Sequence, residues 1–275
     1  MRRSSLLLLV SSVAFGQTPV GTVNRPSYLH NVHGSNLTWQ TRATAFASWL
    51  TKTGVVVHWD FGDGSTANSN TPAKTYPTTA LKTFQMVAKD GWGGLTVLDL
   101  NNQSLRGGIP SLARATGLVE LYVHGNQLTG SIPSLGSNPA LTHLYVVDNQ
   151  LTGSIPNLDA NVALVRIYAH NNQFTGAIPS LATNTALTKF YGSNNQLTSY
   201  TGGLGTRVLD TFKFNVNALT VIAVNAILAD LKVAQVGGNP VCTVDLSGGT
   251  NATPTGQGLL DKAFLIAAGW TVQTN

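Results

Sequence analysis

The sequence predicts a repeat solenoid: a parallel β array with little helix on its outer face, a small N-terminal β cap and an α/β C-terminal cap. Three observations predict it. Apolar residues recur in phase every 23 residues. Within each unit a short stretch alternates apolar and polar residues, as a strand does. The rest of each unit is broken by Gly and Pro, which forbid a regular helix. The chain has 275 residues, 43 % of them hydrophobic and only 10 % charged, so it can bury a long core. Disordered chains show the reverse balance.

In chain order, Arg2-Arg3 precede the apolar run Leu6-Leu7-Leu8-Leu9-Val10, and the small residues Ala14 and Gly16 follow. This is the order of a secretory leader, cleaved before Gln17. The run is far shorter than the ~20 residues of a membrane span. Residues 1–16 are therefore expected to be removed on export, leaving a secreted, cell-surface or periplasmic protein with no membrane span. Residues 17–36 read as a linker. Residues 37–92 carry Trp59-Asp60-Phe61-Gly62-Asp63-Gly64-Ser65, a strand running into a tight turn. A second strand is expected over residues 83–87, and Phe46, Trp49 and Leu50 fit a strand or a short helix. The Trp59–Ser65 stretch resembles the signature of polycystic-kidney-disease-type (PKD) β-sandwich domains. Because 37–92 is short for such a domain, the resemblance implies a reduced β unit serving as the N-terminal cap.

Residues 93–219 hold six repeat units. Leu95, Leu118, Leu141, Leu164 and Leu187 share one phase, and Leu98, Leu121, Leu144, Ile167 and Phe190 share the next. Leu105, Leu128, Leu151, Phe174 and Leu197 follow, then Leu112, Leu135, Leu158, Leu181 and Leu204. A sixth unit starts one residue early at Leu209 and keeps Phe212, Phe214, Asn217 and Leu219. One such strand cannot bury its apolar face alone, but stacked units make a continuous core. Gln103, Asn126, Asn149, Asn172, Asn195 and Asn217 end the strands and are expected to form a structural ladder, because a buried amide needs backbone partners. Ala169 and Gly192 stand in an inward column whose next member is Phe214, so Phe190, Phe212 and Phe214 should fill that space together. The phrases Asn126 to Pro133, Asn149 to Pro156 and Asn172 to Pro179 resemble the plant-type extracellular leucine-rich repeat, Asn-x-Leu-Thr-Gly-x-Ile-Pro. Units one residue shorter and the lack of flanking cysteine pairs make the chain look more like bacterial secreted or surface members. Such families act mainly in recognition through the inner strand face, so the resemblance implies a binding protein and not an enzyme.

Residues 220–275 predict a closing α/β cap. Thr220 can cap a helix that runs on through Leu231, a strand surrounds Cys242, Gly248-Gly249 make a turn, and a second helix near 259–268 precedes a strand at Trp270. Cys242 is the only cysteine, which excludes an internal disulfide and a cysteine-based zinc site.

Function must come from the outward strand positions. Tyr122, Tyr145, Tyr168 and Tyr191 line one column, an aromatic ridge about 14 Å long at parallel-strand spacing. Beside it run Glu120, His143, Arg166 and Lys189, and on the other side lie His124, Val147, His170 and Ser193. Tyrosine and arginine are enriched at binding hot spots. These ten Tyr, Glu, His, Arg and Lys residues are the candidate ligand-binding set, for a protein or a carbohydrate. His124 and His170 lie two strands apart, too far to share a zinc ion, and no cofactor or metal is expected. The net charge of +5 drops to +3 without Arg2 and Arg3, and no basic run follows, which argues against nucleic acid. The alternative function is a structural subunit of a surface layer, fibre or virion decoration that packs against itself. Exposed apolar side chains at the caps would favour that alternative.

Overall fold

Two side-chain periods set the architecture, one of two residues along each strand and one of 23 from turn to turn. The computed structural model describes residues 37–41, 45–47, 49–52, 58–61, 65–69, 72–75, 82–87, 92–205 and 208–275. The expected leader and linker, Gly62 to Gly64 of the turn motif, and Asp63 with it lie outside the described residues. The first seven strands are β1 (Leu37–Thr41), β2 (Ala45–Ala47), β3 (Trp49–Lys52), β4 (His58–Asp60), β5 (Thr66–Asn68), β6 (Ala73–Thr75) and β7 (Lys82–Val87). Then each turn of the array contributes two strands: β8 (Leu95–Asp99) with β9 (Leu105–Gly107), β10 (Glu120–Tyr122) with β11 (Gln127–Gly130), and β12 (His143–Tyr145) with β13 (Gln150–Gly153). β14 (Arg166–Tyr168) with β15 (Gln173–Ile178), β16 (Lys189–Tyr191) with β17 (Gln196–Tyr200), and β18 (Thr211–Lys213) continue it. The chain ends with α1 (Val221–Val236), β19 (Thr243–Leu246), α2 (Gln257–Ala267) and β20 (Thr271–Thr274).

Among the described residues the strands sort into two nine-stranded sheets and one β2–β6 pair. In the first large sheet β8, β10, β12, β14, β16, β18, β19 and β20 run parallel, and β3 closes the edge by pairing antiparallel with β8. The second sheet carries β9, β11, β13, β15 and β17, and β1 pairs antiparallel with β9 at its start. An antiparallel strand thus covers the first parallel strand of each sheet. That is what an array needs to protect its open end. β4 pairs antiparallel with β5, with His58 opposite Asn68 and Asp60 opposite Thr66, while the turn expected between them lies outside the described residues. Phe46, Trp49 and Leu50 lie in strands, not in a helix.

The leucine columns are buried throughout, and the one nearest the strand ends tapers: Leu100, Val123, Val146, Ala169 and then Gly192. The taper makes room for Phe214. A Cβ at Gly192 would collide with the Phe214 ring. That ring is held in turn by Phe190 (centroids 4.8 Å) and Phe212 (4.5 Å).

The asparagine ladder is present. Asn126 Nδ2 donates to Leu100 O (3.0 Å) and Val123 O (2.8 Å), while its Oδ1 accepts from Leu105 N (2.9 Å). Asn149, Asn172, Asn195 and Asn217 repeat the pattern one turn on each. Gln103 makes a short version of it, donating to Asn101 O at 2.8 Å. Asn251 adds a rung that the 23-residue period does not announce, bonding Phe214 O and Leu246 O at 2.9 Å each. A second ladder runs along the other edge of the core. Asn138, Asn161 and Asn184 are fully buried, and each donates to two carbonyls of the preceding turn or its edge.

The C-terminal segment does not stop the first sheet but extends it, since β19 pairs parallel with β18 and β20 with β19. Thr220 caps α1 by accepting from Ala223 N, and the helix runs five residues beyond the expected Leu231, to Val236. Asp230 on α1 accepts from Tyr200 Oη (2.7 Å) and Gly203 N (2.9 Å), which ties down the fifth unit where it loses its Ile-Pro pair. Cys242 is buried, and burial pushes its thiol up to about 12, so it stays protonated at neutral pH.

Candidate functional site

Parallel pairing fixes the site's geometry. Glu120, His143, Arg166 and Lys189 are register partners in succession, and so are Tyr122, Tyr145, Tyr168 and Tyr191. The tyrosine column starts beside Asp99 and continues into Lys213, Asp245 and Gln273. The turn after each strand needs a left-handed residue, which Asn102, Gly125, Asp148, Asn171 and Asn194 provide, with φ between 53° and 66°. Asp148, Asn171 and Asn194 also join into an exposed chain of side-chain hydrogen bonds, 2.6 Å each, along one rim of the face.

The tyrosine rings do not stand apart. Tyr145 stacks on Tyr168 (4.3 Å, 16°) and Tyr168 on Tyr191 (4.8 Å, 6°), while Tyr122 meets Tyr145 edge-on at 4.9 Å. His124 sits edge-on between Tyr122 and Tyr145, and His170 between Tyr168 and Tyr191. His143 closes on Tyr145 from the other side at 5.8 Å. Lys213 Nζ lies 5.7 Å over the Tyr191 ring. The result is a continuous aromatic mat whose ring faces are largely turned to one another. It offers ring edges and hydroxyls to solvent. Val147 and Ser193, expected to point outward, are buried, so the third column contributes its two histidines together with Asn101 and Asn215 at its ends.

Charge is graded along the array. Asp99 and Glu120 stand at the first two strands, and Arg166, Lys189 and Lys213 at the fourth to sixth. His143 Nδ1 lies 3.8 Å from Glu120 Oε1, and Arg166 Nη1 approaches its Nε2 at 3.4 Å. Lys189 pairs with Asp210 at 2.9 Å. Sequence reasoning missed Asp210, because it stands in the Thr-and-Val column before the outward positions. The pair is solvent-exposed and worth little to stability. Among the described residues no group of three or more His, Cys, Asp or Glu is placed to hold a metal ion.

Burial pushes the Tyr122 phenol up, and its hydrogen bond to Glu120 adds to this. Burial also raises Tyr168, between Tyr145 and Tyr191. Both stay neutral donors at physiological pH. Burial lowers the His143 pKa, with the Glu120 carboxylate opposing and Arg166 adding to the shift. Burial lowers His170 too, against the pull of Asp148. The unfolded chain therefore takes up protons on both imidazoles first. Stability is full above about pH 6.5 and declines as the pH falls through the lowered folded values. Urea midpoints at pH 7.5 and 5.0 measure that decline. A His143→Gln/His170→Gln variant should show a smaller one, and an equal decline would mean that other groups cause it.

Residues 117–138 match the Leucine Rich Repeat family. No curated protein sequence matches the chain. Among solved structures, it resembles the BIR2 ectodomain of Arabidopsis thaliana at 30 % identity over 38 % of this chain, with a TM-score of 0.37. It spans 57 % of that ectodomain. It also resembles a chain of the BIR3–SERK2 complex of Arabidopsis thaliana at 31 % identity, covering 46 % of this chain and 70 % of that one, with a TM-score of 0.41. The plant peptide hormone receptor RGFR1, solved in complex with RGF2, is similar at 29 % identity over 57 % of this chain and 25 % of its own, with a TM-score of 0.50. Its 23-residue period, its parallel sheets and the matched repeat show that the protein is built as a leucine-rich-repeat solenoid.

Proposed function

We propose that the β8–β18 face recognises an extended peptide segment of a partner protein, outside the cell. The observation that carries this reading is the aromatic mat of Tyr122, Tyr145, Tyr168 and Tyr191, flanked by histidines and graded from acidic to basic along the array. Ring edges, phenol hydroxyls and imidazoles suit the polar backbone of an extended chain. A sugar ring needs a free aromatic face to stack on, and the interior tyrosines have turned theirs to each other. The gradient also gives the ligand a polarity, with its acidic end toward Arg166 and Lys213 and its basic end toward Asp99 and Glu120. The likeness to RGFR1, a plant peptide hormone receptor solved in complex with RGF2, supports the same reading.

The test is to select peptides from a random phage-displayed library on the folded chain and measure their affinity. Arg166→Glu, an exposed substitution outside the ring ladder, should leave the fold intact. It should weaken acidic peptides by about 2 kcal/mol, close to thirtyfold. Tyr145→Ala/Tyr168→Ala should weaken binding at least as much. It also removes the ring contacts they make, each worth about 0.5–1.5 kcal/mol to stability, so affinities are compared where the variant is folded. Peptides that bind both variants as they bind the parent chain place the site elsewhere.

A further inference from the structure

The two C-terminal helices present the wrong face to water. α2 turns Gly258, Asp261 and Leu265 inward, leaving Asp261 only 3 % exposed, while Leu260 stands 64 % exposed and Leu259, Phe264 and Ile266 project beside it. α1 buries Val224, Ile227, Leu228 and Leu231 on the core and carries a second apolar stripe on its opposite side: Ile222 (78 % exposed), Ala229, Val233 and Val236. Ile222, Ala229 and Val236 are seven residues apart and Val233 is four beyond Ala229, so they share one face. A cleft of about 360 Å³ lies between the helices, lined by Ala229, Lys232, Val233, Val236, Gln257 and Asp261. End caps of repeat arrays need a polar outer face, and this cap has an apolar one. Beside it, β20 ends the first sheet with no neighbouring strand on its outer side among the described residues.

We infer that this face docks on the same face of a second copy of the chain, giving a two-fold dimer joined through the C-terminal caps. A two-fold axis brings each residue close to its own counterpart, so uncompensated charge in the patch would repel. Here the charges are balanced and already partnered. Lys232 pairs with Asp261 at 2.9 Å, Lys262 donates to Thr274 Oγ1 at 2.7 Å, and Asp230 holds Tyr200 and Gly203. The exposed apolar side chains of α1 and α2, with Val241 next to Gly269, are the surface such an interface would bury, and each partner gives ~800 Å² to a stable one. Lasting contacts between identical chains are the more apolar class of interface, which is the character of this patch. The arrangement leaves the tyrosine face of both copies free.

Sedimentation equilibrium of the chain carrying all of residues 37–275 tests this between 1 and 100 µM. The expected result is twice the chain mass. Leu260→Glu/Ile266→Glu on α2 and, separately, Val233→Glu on α1 alter only exposed positions. Each should raise the dimer dissociation constant at least ~100-fold with an unchanged circular dichroism spectrum. Tyr145→Ala/Tyr168→Ala should leave the dimer as it is. A parent chain that stays monomeric at 100 µM overturns the inference, and so does a dimer that survives both cap variants. Monomers that co-sediment with phosphatidylcholine vesicles would assign the patch to a lipid surface and overturn it as well.

Discussion

Gly192→Ala should cost about 3 kcal/mol, a large effect for one methyl group. The new Cβ falls onto the Phe214 ring, and Phe190 and Phe212 leave that ring nowhere to retreat. Overpacking of a tight core costs about 1–3 kcal/mol, with the upper end expected where the neighbour is a wedged aromatic ring. Phe214→Leu should also destabilise alone, by leaving a void. Combined with Gly192→Ala it should recover about 1 kcal/mol or more of the summed loss, because the two side chains compete for one space. Urea titrations of the two single variants and the double measure this coupling. Additive losses would show that the taper from Leu100 to Gly192 has nothing to do with Phe214.

Asn161→Ala should be as damaging, through lost hydrogen bonds instead of crowding. Its Nδ2 is the donor for Leu135 O (2.9 Å) and Asn138 O (2.8 Å) in a fully buried position. Both carbonyls keep a backbone donor, Asn138 N and Leu141 N, so the loss is that of two buried bonds, at about 0.5–1.5 kcal/mol each, and of the packed amide, together about 2–4 kcal/mol. Asn149→Ala, at a half-buried rung of the other ladder, should lose about 1–3 kcal/mol. Gln150→Ala is exposed and should stay within about 0.5 kcal/mol of the parent chain. The order Asn161, Asn149, Gln150 in denaturant midpoints is the result to look for. If Asn161→Ala were as mild as Gln150→Ala, the second ladder would carry no load.

What could be read from the sequence was whatever the 23-residue period governs. The inward columns, the register of Tyr122 with Tyr145, the Gly192–Phe214 exchange and the Thr220 cap all follow from residue type and phase. The second ladder was in phase too, yet Asn138, Asn161 and Asn184 lie among Gly, Pro, Ser and Thr, where asparagine usually marks a turn. Asn251 was hidden because α1 separates it from Asn217. The Leu259-Leu260 and Phe264-Leu265-Ile266 runs are apolar on most sides. Periodicity therefore could not tell which face of α2 meets the core, and the buried Asp261 decides it through Lys232. In the site, the pattern put four tyrosines in a row but could not say that their rings would close on one another. That depends on side-chain torsions, which no spacing encodes.

The ladders also give the array a direction of growth. Asn149 donates to Val123 O of the turn before it and accepts from Leu128 N of that same turn, and Asn161 reaches back to Leu135 O and Asn138 O. A turn emerging late in synthesis finds its polar partners already displayed by the turn made earlier. No rung between Asn126 and Asn217 waits for residues still inside the ribosome. The array can thus zip up from its N-terminal strands one unit at a time, each loop closing over about 23 residues and not over the whole chain. The order of assembly is set by which way the amides face.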